Sequence, residues 1–190
     1  MVGLKLLLRI LYENKKTMIW IIIGFLFMVF LNTANNSLVS SKRNLGKQII
    51  FDDSSKRFNS VNDSILFLSD LINQSQKKFK IVSLVNASCS DCIEELQGWR
   101  RIRKLIDSVR VDIILIAYDA PFDMVKYNVV DVAKFKQPVF YDCNNHFSRI
   151  NNLQQGDFKT FLIDTNNKIV ISGNPIKNPH LIKSYKELIR

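Results

Sequence analysis

Cysteine, histidine, proline and glycine are all scarce, at 3, 2, 4 and 6 residues among 190. The few glycines form neither a dinucleotide fingerprint nor a P-loop, so nucleotide cradles of those kinds are excluded. No spacing of serine, histidine and aspartate supports a hydrolytic triad. Internal repeats and low-complexity segments are absent. Negative charge is in deficit, with 17 Asp and Glu against 27 Lys and Arg, a net charge of +10. The basic residues are spread along the chain rather than gathered in one run, and no nucleic-acid recognition motif accompanies them. The charge reads as a solvated surface attracted to anionic membrane, with no nucleic-acid partner.

What the chain does contain begins with an apolar run. Thr17 to Leu31 carries no charge, and continuing to Ala34 gives 18 residues, the short end of a membrane span. Lys5, Arg9, Lys15 and Lys16 precede it, opposed only by Glu13. The positive-inside rule then makes 1–16 a cytoplasmic basic tail, 17–34 an uncleaved transmembrane signal anchor, and everything beyond it extracytoplasmic (periplasmic). The rival is a cleaved signal peptide, although Asn32-Thr33-Ala34 matches the small-x-small site poorly. No cysteine lies just beyond the run, so a lipoprotein anchor is excluded. Leu4, Leu6, Leu7, Leu8, Ile10 and Leu11 suit a segment lying along the inner membrane surface. Residues 35–47 are polar and read as a linker. The rest, 48–190, is long enough for one domain.

Within that domain the most informative feature is Cys89-Ser90-Asp91-Cys92. It follows the strand formers Phe79-Lys80-Ile81-Val82-Ser83-Leu84-Val85 and opens a helix whose apolar stripe is Ile93, Leu96, Trp99, Ile102 and Leu105 or Ile106. Two cysteines so spaced at a strand-to-helix turn form a redox arrangement. The helix N-terminus favours a thiolate at the first sulfur, and the second can resolve a mixed disulfide. Trp99 reads as a core anchor.

Other segments fall into place around this motif. Gln48 to Phe51 suits a short edge strand and 52–62 a loop. Ile65, Leu68, Leu71 and Ile72 mark a short amphipathic helix. Val111 to Ala117 reads as a strand buried on both faces. Helical spacing runs from Met124 to Phe135, weakened by Val129, Val130 and Val132. Pro138 to Tyr141 is a strand and Asn145 to Asn152 a short helix. Lys159–Asp164 and Lys168–Ser172 form a hairpin across Thr165-Asn166-Asn167. Asn178-Pro179 starts the last helix. This order predicts an α/β fold, a thioredoxin-like three-layer sandwich with one N-terminal transmembrane helix.

The blocks Phe140-Tyr141-Asp142 and Asn151-Asn152-Leu153 carry a resemblance. So does Thr160-Phe161-Leu162-Ile163-Asp164, followed by Lys168-Ile169-Val170, Gly173 and Pro175. Together they resemble membrane-anchored, TlpA-like redoxins over roughly residues 46–190. The resemblance implies a thiol-disulfide oxidoreductase with Cys89 as exposed nucleophile and Cys92 as buried resolving partner. Its substrates would be extracytoplasmic protein thiols or disulfides, its electron source a membrane redox donor, and it would need no cofactor. Phe158 stands where such proteins carry a cis-proline, and a cis bond there would cost about 2.5–4 kcal/mol, so a trans loop is expected. Peroxiredoxins hold proline and threonine seven and three residues before the reactive cysteine. Val82 and Asn86 occupy those positions here, which sets a peroxidase aside.

Asp91, Glu94 and Glu95 near the helix start oppose a Cys89 thiolate. The reduced form is then less stable and the couple more reducing. Two other readings stay open. Cys143-x-x-His146 could join Cys89 and Cys92 in a zinc or copper site, although copper carriers of the Sco type place three residues between their cysteines. Alternatively, the missing proline suits a redox-inactive interaction module. Cys143 alone reads as a buried, inert thiol, and His180 as solvated.

Overall fold

The computed structural model describes residues 18–29, 44–52, 58–63, 66–88, 90–106, 109–142, 144–153 and 159–190, with the backbone alone at 90–92. The chain divides into two compact units, Met1–Ser40 and Ser41–Arg190. In the first, residues 18–29 form helix α1 with exposed apolar side chains from Met18 to Val29. Thr17 and 30–34 of the expected anchor lie outside the described residues. Among those described, no helix is long and apolar enough to cross a membrane.

The second unit is built on a five-stranded sheet. Its elements are α2 (Leu68–Gln74), β1 (Phe79–Asn86), α3 (Ser90–Leu105), β2 (Val111–Tyr118), α4 (Phe122–Lys126), β3 (Val139–Asp142), α5 (His146–Ile150), β4 (Thr160–Ile163), β5 (Ile169–Ser172) and α6 (Pro179–Ile189). The strand order is β3-β2-β1-β4-β5. β1, β2 and β3 are parallel, while β4 and β5 join antiparallel to β1 and to each other.

Strand alternation sends side chains to two cores. Phe79, Ile81, Val85, Leu115 and Leu162 meet Leu96, Trp99 and Ile102 of α3 and Tyr185 and Ile189 of α6. On the other face Val82, Leu84, Ile114, Ile116 and Phe161 meet Leu68 and Ile72 of α2 and Phe147 of α5. Helices thus cover both faces, as near-continuous apolar strands require. Trp99 is buried in the first core, as its sequence position predicts. Gly98 lets α3 approach the β5–α6 connection, because a Cβ there would stand 2.6 Å from Ile176 Cγ2.

Both sheet edges are covered by the segment that precedes α2. Gln48 bridges Lys168, and Gly46 and Ile49 donate to Ile169 and Asn167 beside β5. The expected edge strand at 48–51 is therefore a single bridge. Asn151 fixes it further, accepting from Ile50 N at 2.7 Å and donating to Ile50 O at 3.0 Å. At the opposite edge, Ser60 bridges Phe140 and Val61 donates to Val139. The segment 52–62, expected to be a loop, thus supplies the cover of β3. Backbone groups make that cover, so it leaves little trace in apolar periodicity.

A second departure concerns Met124 to Phe135. α4 ends at Lys126, and Tyr127–Val132 continues as a π-helical turn, with Ala133 N donating to Asn128 O at 2.9 Å. The β-branched run Val129-Val130 is a weak α-helix former, and Val125 and Val129 are both buried in the first core. The hairpin turn forms as expected, with Asp164 Oδ1 accepting from Asn166 and Lys168 N at 2.9 Å each. Asn178 caps α6 by accepting from His180 N at 3.1 Å, with Pro179 at the first helical position.

Candidate active site

Parallel pairing sets the C-terminal ends of three strands in one row. Asn86 is in register with Tyr118, and Tyr118 with Asp142. The Cys89–Cys92 motif follows the first of these ends. α3 begins at Ser90, so Cys92 lies in its first turn. Cys89 and the side chain of Cys92 are outside the described residues, as is Cys143, which follows Asp142 in sequence.

The turn leading into the motif is held from three sides. Asn86 Oδ1 accepts from Ser88 N at 2.9 Å and from Ser88 Oγ at 2.5 Å, which folds the chain back at the strand end. Asn128, from the π-helical turn, donates through Nδ2 to Ala87 O at 2.7 Å. Below it, Ser83 and Thr160 share a buried hydrogen bond of 2.7 Å between β1 and β4. Asn86 occupies the position where a peroxidatic site would need threonine, and its carboxamide is committed to this turn.

Carboxylates at the start of α3 differ in their partners. Glu94 is exposed, whereas Glu95 accepts from Asn174 Nδ2 at 2.7 Å and lies 3.8 Å from Lys177 Nζ. Of these two carboxylates, Glu95 is thus engaged with the β5–α6 connection, and Glu94 is exposed. Lys159, next to Phe158 in sequence, donates to Tyr118 Oη and sits 4.2 Å from its ring centroid. Phe158 itself lies outside the described residues, among which no peptide bond is cis.

His146 follows β3, the outermost of the three strand ends. Its Nε2 lies 3.2 Å from Asp52 Oδ2, and it starts α5, whose Phe147 packs in the second core. α3 packs in the first core, on the other face of the sheet. Asp142, buried at the end of β3, accepts from His146 N at 2.9 Å and Phe147 N at 3.0 Å and so caps α5. The histidine of the four-ligand metal reading thus pairs with Asp52. Among the described residues no group of three or more His, Cys, Asp or Glu could hold a metal ion. Cys89, Cys143 and the side chain of Cys92 are not among them. His180 is exposed at the start of α6.

Sequence patterns flag none of Asn128, Asn174 or Lys159. Asn86 two residues before Ser88 is the one local signal present, since asparagine at a strand end followed by a small polar residue marks an Asx turn.

The sheet order, the helix after β1 and the antiparallel hairpin beyond β3 define a thioredoxin-like α/β fold. Solved structures share it. The thioredoxin domain of a thiol-disulfide oxidoreductase from Bacteroides vulgatus is 15% identical, with a TM-score of 0.52 over 66% of this chain and 86% of that one. A candidate thiol:disulfide interchange protein DsbE from Chlorobium tepidum is 13% identical, with a TM-score of 0.56 over 77% and 98%. Peroxidoxin BcpB from Mycobacterium tuberculosis is 19% identical, with a TM-score of 0.57 over 77% and 98%. At such identities the likeness establishes the fold. No family model matches the chain. No curated protein matches it in sequence.

Proposed function

We propose that this chain is a membrane-tethered thiol-disulfide oxidoreductase that acts on extracytoplasmic protein cysteines through Cys89 and Cys92, in the reducing direction. One observation carries the reading. The Cys-x-x-Cys sequence straddles the start of α3 at the C-terminal end of the central parallel strand, where a helix N-terminus can stabilise an attacking thiolate. The oxidoreductases among the structural neighbours support it at the level of fold.

The exchange conserves electrons. The Cys89 thiolate attacks a substrate disulfide, a mixed disulfide forms and one substrate thiolate leaves. The Cys92 thiolate then attacks Cys89, the second substrate thiolate departs, and the two cysteines end as a disulfide. A membrane redox donor returns two electrons. Glu94 and Asp91 in the first turn disfavour the Cys89 thiolate, which favours a reducing couple. The tether is residues 17–34, with 35–47 as linker and 48–190 exported.

Trapping tests the reading. Cys92→Ser expressed in the native host should accumulate proteins disulfide-linked to Cys89, and Cys89→Ser should trap none. Equal absence of trapped partners from both variants would sink it. A reporter fused after Asn35 should show export, and a cytoplasmic signal would overturn the topology.

A further inference from the structure

We propose that the C-terminal ends of α3 and α6 form a face that docks on an anionic phospholipid bilayer surface, leaving the thiol end of α3 pointing away from it. Two hollows meet here. Leu105, Ile106, Arg110, Lys186, Ile189 and Arg190 line one. Lys186 and Arg190 also border the second, which runs back along α6 past Glu187, Lys183 and Ile182 to Pro179. Lys104 and Arg101 continue the cationic surface along the outside of α3. Glu187 is the acidic group lining either hollow, and it lies 3.8 Å from Lys183.

Apolar side chains are exposed among these cations. Leu105, which lines the first hollow, is 49% accessible, and Val109, next to Arg110 in sequence, 80%. Lysine and arginine around shallow apolar groups fit headgroup phosphates beside the acyl boundary, and an anionic leaflet attracts such cations. α3 separates this face from the thiol motif by about 22 Å, at about 1.5 Å per residue. The chain also enters the domain at this end of the sheet. Gly46 N donates to Ile169, which pairs with Ile163, and Ile163 with Lys80 at the start of β1, while Phe79 N donates to Arg110 O. Docking this face would leave the exchange site open to proteins in solution. The inference adds an orientation to the tethered reading and rests on it only for the nearness of a bilayer.

Full-length chain in nanodiscs of phosphatidylcholine, with or without phosphatidylglycerol, gives the test by amide hydrogen exchange. Exchange at 103–106 and 186–190 should slow in the anionic discs and recover in high salt. Lys104→Gln with Lys186→Gln should lower the docked-to-free ratio about 25-fold, from about fivefold per cation. Lys126→Gln with Arg149→Gln removes the same charge from α4 and α5, which follow the C-terminal ends of β2 and β3 at the opposite end of the sheet, and should leave it within about twofold of the parent. Equal exchange in both disc types, or equal loss in the two double variants, overturns the docking face. Resistance of the chain to carbonate extraction tests the tether separately. If the chain stays soluble, co-sedimentation with vesicles of the two compositions reads the same comparison.

Discussion

The two ends of α3 handle charge in opposite ways. Its last turn carries Arg103 and Lys104, cations that complement the negative end of the helix dipole. Its first turns carry Glu94 and Glu95, which complement the positive end equally well but sit beside the thiol motif. At the cationic end helix stability and the proposed surface chemistry agree. At the thiol end they compete, because each carboxylate that suits the dipole opposes a thiolate that would use it. Partner choice softens that conflict, since Glu95 is occupied by Asn174 and Lys177 and Glu94 is not.

The helix joining the two ends offers the largest perturbation. Gly98→Ala would press a methyl group against Ile176, a β-branched side chain packed on the first core, and should destabilise the domain by about 1–3 kcal/mol in urea unfolding. Unchanged stability would mean that α3 is free to shift. Alkali should act on the same core through Tyr185. Its hydroxyl donates to Gly173 O at 2.9 Å, and burial pushes its phenol well above the ordinary value of 10.0. The folded state keeps the proton where the unfolded chain loses it. Its contribution is therefore intact below pH 10 and lost above, at about 1.4 kcal/mol per pH unit. Tyr185→Phe should flatten that alkaline slope.

Elements formed by apolar runs are legible in the amino-acid sequence itself. β1, β2 and the β4–β5 hairpin follow from runs buried on both faces, and α6 from Asn178-Pro179 with its stripe. The Cys-x-x-Cys site is equally plain as a position. Its supports are not, because Asn128 reaches Ala87 across 41 residues and Asn174 reaches Glu95 across 79. Single polar bonds between distant segments carry no periodic signal. The edge covers at 46–49 and 59–61 escape for a related reason, being made by backbone groups that every residue possesses.

A smaller effect should sharpen the thiol end. Asn128→Ala removes the bond to Ala87 O and should cost about 0.5–1.5 kcal/mol. It should also change the rate at which Cys89 is alkylated, while Lys136→Gln leaves that rate unchanged. If alkylation does not respond, the π-helical turn does not position the motif. The smallest effect comes from one charge. Glu94→Gln should stabilise the thiolate and the reduced form, making the couple more oxidising by roughly 6–20 mV, from about 0.3–1 kcal/mol. A shift in the opposite direction would remove the electrostatic basis for the reducing assignment.

Redox titration of the full chain against glutathione, read by mass shift after thiol alkylation, tests the central claim most directly. One two-electron couple shared by Cys89 and Cys92 is expected, on the reducing side near thioredoxin's value of roughly −270 mV. A couple near the roughly −120 mV of a strong oxidant would contradict the proposed direction. If no couple links the two cysteines, thiol-disulfide exchange is not what this site does.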